Sequence, residues 1–149
     1  MKTVLSYQDV LRVLATLLEQ CQEGRAHLRL SPQGAEAAAP GWRWPREWTP
    51  DMLRDEAARQ ARERAQPRYE HQRSDRLSAC LRLLGSDLDQ QDVGFIILTV
   101  LPDTIHVQGQ GGYEQVVEME ALKQRARHEA AQRRPKPAAN GLAGNGTAQ

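Results

Sequence analysis

The stretch VGFIILTVLPDTIHVQ, residues 93–108, decides the fold. Val93–Leu101 is the most apolar run in the chain, rich in β-branched residues and far too short to span a membrane. Pro102-Asp103 supplies turn chemistry, and beyond it Ile105 and Val107 alternate with His106 and Gln108. The pattern predicts a β-hairpin whose first strand is buried on both faces. After the loop GQGG (109–112), YEQVVEM (113–119) reads as a third strand with Tyr113, Gln115, Val117 and Met119 on one side, or as a helix start.

This apolar centre lies in a region of one charge sign. Between Gly85 and Leu122 there is no Lys or Arg, only Asp87, Asp89, Asp92, Asp103, Glu114, Glu118 and Glu120. Arg54–Arg82 carries eight arginines against five acids, and Lys123–Lys136 six bases against Glu129 alone, in a chain of net charge +1. Such a balance gives no wholesale attraction to nucleic acid or anionic membrane, and the segregation points to pairing with another surface.

Upstream, Ser6 and Asp9 form a capping pair for a helix whose stripe is Val10, Leu11, Leu14, Leu17, Leu18 and Cys21, ending at Gly24. AHLRL (26–30) alternates as a half-buried strand, and SPQG (31–34) turns. Residues 31–48 read as a low-order linker containing Trp42, Trp44 and Trp48, folding back to cover an open edge of the core. Thr49, Pro50 and Asp51 open a second helix with Trp48 and Leu53 as a hydrophobic staple, its apolar face made of Ala57, Ala58, Ala61 and Ala65. A third helix begins near Ser74, presents Leu77, Cys80, Leu81 and Leu84, and ends at Gly85. Ser86 and Asp89 then cap a short turn. A last helix runs from Glu120 with a thin seam of Leu122, Ala126 and Ala130. No internal repeat stands out. The expectation is a small α+β domain over residues 1–132, an antiparallel meander or mixed sheet packed by helices, with a disordered tail over 133–149.

Chemical motifs are sparse. Asp87, Asp89 and Asp92 are weak metal candidates without the glycine and distal glutamate of a calcium loop, and no metal or cofactor is expected. His27, His71, His106 and His128 lack zinc-ligand spacing; His27 and His106 could meet in a sheet near Asp103 or Tyr113 as an acid–base site. GQGGYEQVV lacks the lysine and serine of a phosphate loop. Cys21 and Cys80 read as small buried hydrophobes, and without a signal-like N-terminus the expected setting is cytoplasmic, with no membrane contact.

The function expected is a non-catalytic interaction, adaptor, regulatory or assembly subunit, self-associating as a homodimer. Trp42, Trp44, Trp48, Arg59, Arg62 and Tyr113 are its partner-binding candidates. The alternative is a nucleic-acid-associated protein using Arg59, Arg62, Arg68, Arg125 and Arg127. A small enzyme with a composite His/Asp site is the third reading, and the chain leans away from catalysis.

Overall fold

The structure is a computed structural model that describes residues 5–66, 73–91 and 93–133. Helix α1 (Tyr7–Gln20) leads into strands β1 (Ala26–Ser31), β2 (Gly34–Ala38) and β3 (Arg46–Trp48) and helix α2 (Pro50–Arg64). Helix α3 (Leu77–Gln91) leads into β4 (Ile96–Val100), β5 (Thr104–Gly109), β6 (Glu114–Glu118) and helix α4 (Met119–Arg133). The six strands form one antiparallel sheet in the order β3-β2-β1-β4-β5-β6. It is an α+β fold with four helices packed on the sheet. Leu28, Leu30, Ile96, Leu98, Ile105 and Val107 project from the strands into the same core as Leu11, Leu14 and Leu18 of α1 and Leu81, Leu84 and Leu88 of α3.

The element order is one motif, helix–three strands–helix, used twice. A shift of 70 residues carries α1 onto α3, β1 onto β4 and β2 onto β5, with starts at 7 and 77, 26 and 96, 34 and 104. A shift of 69 carries α2 onto α4, from 50 to 119. The side chains follow: Leu11, Arg12, Leu14, Leu18, Gly24, Leu28 and Pro32 match Leu81, Arg82, Leu84, Leu88, Gly94, Leu98 and Pro102. Leu53, Ala57 and Arg64 likewise match Leu122, Ala126 and Arg133. The two halves join where β1 pairs with β4, with Leu28 opposite its own equivalent Leu98, so a pseudo-twofold axis passes between them. The repeat escapes a reading of the sequence because most matches are aliphatic core residues, which recur in any amphipathic helix.

The helices are joined across the same axis. Asp89 near the end of α3 accepts hydrogen bonds from the free N–H groups of Tyr7 (2.8 Å) and Gln8 (3.1 Å) at the start of α1. Glu19, its equivalent in α1, accepts one from Ser78 at 2.5 Å at the start of α3. Each helix thus receives an anionic cap from the C-terminal turn of the other, where a carboxylate would otherwise oppose its own helix dipole.

Several sequence expectations are corrected. Gly85 does not terminate α3. A Cβ there would lie 2.6 Å from both Gln8 Cα and the Tyr7 carbonyl oxygen, so the glycine permits close approach of α1 inside a continuous helix. Ser86 and Asp89 therefore cap no separate turn. The segment 31–48 is not a linker: β2 and β3 occupy much of it, with Ala35 and Ala37 buried. Alanine is a poor strand former in isolation, and the neighbouring β1 supplies the ladder that sequence propensity could not foresee. β4 is buried on one face only, because Ile97 and Thr99 lie on the side away from the helices. α2 turns Leu53 and Gln60 inward while Ala58, Ala61 and Ala65 are exposed. Tyr113–Met119 resolves into β6 followed directly by α4, and Arg133, expected in the tail, ends α4. The rest of the expected tail, residues 134–149, lies outside the described residues.

Gly85→Ala separates two effects of opposite sign. Helix propensity favours alanine by about 1 kcal/mol. The contact with α1 involves backbone, which cannot swing aside, so steric cost dominates and the variant is expected to be less stable by about 1–3 kcal/mol in urea denaturation. Equal or greater stability would show that the helices are not held this closely.

Candidate functional site

The face of the sheet away from the helices is uncovered among the described residues. Strand register places His27, Thr99, His106 and Val116 in one row across β1, β4, β5 and β6. Glu47, Glu36, Arg29, Ile97, Gln108 and Glu114 form the next row across all six strands. Glu118 lies beside Thr104 at the margin. Val116 is 56% exposed, and the two rows with Glu118 hold four glutamates against one arginine. The Arg29 guanidinium approaches Glu36 at 3.7 Å. This face therefore combines apolar patches with net negative charge, and its margins bear devices that discourage strand addition. β3 has three residues between Pro45 and Pro50, and β6 carries Glu114 and Glu118.

The tryptophans divide by environment. Trp42 packs against the core, and the Arg46 guanidinium stacks 4.2 Å from its ring centre. Trp48 is half-buried on β3 beside the N-terminus of α2, where Thr49 accepts from the Met52 N–H at 3.2 Å. Trp44 is 71% exposed, with Arg43 5.8 Å from its ring centre. Of the three, Trp44 alone is presented outward as an anchor. A cleft of about 540 Å³ beside the α2 start is lined by Glu36, Glu47, Trp48, Met52 and Phe95, and Met52 is 48% exposed.

The arginines proposed to contact nucleic acid are largely engaged within the chain. Arg59 pairs with Glu56 and with Glu63 (3.3 Å), Arg125 with Asp87 (2.8 Å), and Arg127 with Asp75 (2.5 Å) and Glu120 (2.9 Å). Arg62 is exposed and has no ion-pair partner among the described residues, and Arg68 lies outside them. Asp87 and Asp89, suggested as metal ligands, face Arg125 and the α1 N-terminus respectively, and Asp92 lies outside the described residues. No group of three His, Cys, Asp or Glu side chains among the described residues could hold a metal ion.

The pair His27–His106 shares a row of the sheet but is not adjacent, because Thr99 of β4 stands between them, 3.4 Å from His27 Nδ1. It is not joined to the carboxylate or phenol proposed with it. Asp103 is exposed in the β4–β5 turn, and Tyr113 donates instead to Gln115 at 2.7 Å. Gly111 and Gly112 take positive φ in a short 3-10 turn that leads into a strand. That arrangement lacks the helix N-terminus of a phosphate loop. His71 lies outside the described residues, and His128 contacts Gln132 on α4.

Sequence reasoning missed a polar cluster between the helices. Gln60 is 2% exposed, donates to the Val13 carbonyl (3.2 Å) and to Glu56 (3.1 Å), and leaves its own side-chain oxygen without a hydrogen-bond partner. Near it Arg12 and Arg64 are pushed below the usual arginine range by burial and by neighbouring arginines, including Arg82. The available signal was a glutamine at an inward position of a predicted amphipathic helix.

The cysteines differ in a testable way. Cys21 caps the end of α1 and is exposed, correcting its expected burial, because the helix ends before its stripe reaches that residue. Cys80 is buried, and its thiol is pushed up to about 11, mainly by burial. A thiol-specific maleimide at neutral pH should label one cysteine of the folded protein at Cys21, and both only after denaturation. Rapid labelling of Cys80 in the native state would contradict this packing.

Acid dependence follows from two carboxylates. Hydrogen bonding from Arg59 lowers the Glu56 pKa. For Asp75 burial acts to raise it, but hydrogen bonds from Arg73 and Arg127 win, leaving it lowered. A group depressed in the folded state stabilises above its unfolded pKa, and that contribution is lost as pH falls through the folded value. Stability should therefore fall below about pH 4, less steeply in Glu56→Gln and Asp75→Asn. An unchanged acid limb in urea titrations of both variants would refute these assignments. In comparisons with known proteins, no family model, no curated protein and no solved structure matches this chain.

Proposed function

We propose that this chain is a non-catalytic interaction or assembly subunit of adaptor or regulatory type, self-associating as a homodimer in the cytoplasm. The observation that carries the reading is the uncovered sheet face. The described helices pack on one side, while the other presents Ile97, Val116 and a surplus of glutamate across six strands. Complementary charge on a second surface steers encounter and sets orientation more than it adds affinity. Exposed Trp44 and Met52 at the β3 margin are residue types enriched at interface anchors. Among the described residues no helix is long and apolar enough to cross a membrane. The ion pairing of Arg59, Arg125 and Arg127 within the chain gives the nucleic-acid reading no support.

Sedimentation velocity at micromolar concentration, in low and high salt, tests the proposal. The expected result is a dimer that weakens as salt rises, and weakens by about tenfold or more in Val116→Asp at either salt. A monomer under both conditions, with no protein partner recovered, would overturn it.

A further inference from the structure

The two halves differ at one charged junction. In the second half Glu129 Oε1 lies between two arginines, pairing with Arg82 of α3 and with Arg133 of α4 at 3.5 Å. The Arg82 side chain is only 14% exposed, so this carboxylate neutralises charge where water screens poorly. The same positions in the first half are Arg12, Arg64 and, in place of the glutamate, Gln60. Both arginines are kept and the carboxylate is absent.

Nothing within the described residues fully replaces it. Asp9 lies 3.4 Å from Arg12 and also attracts Arg64, but its side chain is 42% exposed and it forms no ion pair with Arg64 among the described residues. Arg64 has no hydrogen-bond or ion-pair partner among the described residues, although it is only half-exposed. Arg82, already held by Glu129, adds a third positive charge close enough to disfavour the charged forms of both Arg12 and Arg64. Glu129 already serves Arg82 and Arg133, and Asp9 meets Arg12, so Arg64 is left without a carboxylate in ion-pair contact among the described residues. Gln60 does not stand in for the missing acid, because its amide N–H groups donate to Val13 and Glu56 and its buried oxygen accepts from neither arginine.

We propose that Arg12 and Arg64 form a binding site for a bidentate oxyanion, a carboxylate or phosphate group, which takes the place that Glu129 occupies in the other half. The planar guanidinium fork matches both groups, with two parallel N–H donors per arginine. The ligand supplies the charge that the sequence omits from Gln60, and its binding ties α1 to the end of α2. This inference does not depend on self-association.

The test titrates the full chain with sodium phosphate, sodium acetate or sodium chloride at constant ionic strength. Thermal unfolding and the Nε–Hε NMR signals of the arginines are read. Phosphate, acetate or both should raise Tm saturably, with half-effect at about millimolar concentration, and should shift the Arg12 and Arg64 signals while chloride does neither. A response to acetate as strong as to phosphate indicates a carboxylate ligand; a response to phosphate alone indicates a phosphoryl group. Arg64→Gln should remove the response, and Arg62→Gln, on the exposed side of the same helix, should keep it. Equal effects of all three salts, or an undiminished response in Arg64→Gln, would overturn the assignment.

Discussion

Close packing of α1 against α3 is the constraint on which the rest of the structure depends. Gly85 lets the two backbones meet without a side chain between them, and Ala15 occupies the equivalent place in α1. The approach brings Asp89 to the start of one helix and Glu19 to the start of the other. Each carboxylate satisfies N–H groups that a helix leaves without internal partners, and each offsets its unfavourable position near the end of its own helix. Since α1 precedes β1 and α3 precedes β4, the same contact aligns the two strands at the centre of the sheet. β2 and β5 then add on either side through short turns, and the outer strands follow.

A duplicated framework explains why the core is regular and the surface is not. The leucines at equivalent positions fill equivalent space against the sheet, so exchange for a polar group would cost burial in both halves. Surface positions carry no such restraint. Trp44 and Met52 are exposed at the β3 margin, while the β6 side shows Val116 and two glutamates. Gln60 and Glu129 mark a divergence inside the helical layer, where a neutral amide replaces a charge-neutralising acid. The asymmetry between the two halves therefore lies at the sheet margins and near the ends of α2 and α4.

Much of the secondary structure was legible because local signals agreed. The Ser6 and Thr49 caps form as their positions suggest, and the β4–β5 hairpin closes at Pro102-Asp103. The failures share one cause: a residue whose role is set by a distant partner was read from its neighbours. Gly85 looked like a helix stop because glycine tolerates left-handed geometry, whereas its lack of a side chain serves a helix 77 residues earlier in the chain at Gln8. β2 looked like linker because GAEAA has little strand propensity, yet the edge of β1 holds it. The candidate site was less legible still. Trp42, Trp44 and Trp48 are close in sequence, and burial alone distinguishes the core-packed pair from the exposed Trp44.

The sequence by itself determined the α+β class, the helix starts, the hairpin at residues 93–108 and the separation of acidic from arginine-rich segments. These follow from periodicity, capping and composition, which act over a few residues. Tertiary structure alone decided that the motif is used twice about a pseudo-twofold axis, that β1 and β4 meet at its centre, and that one sheet face remains open among the described residues. It also decided which carboxylate each paired arginine finds. Such outcomes depend on distances between residues far apart in the chain, and those distances exist only once α1 and α3 have packed.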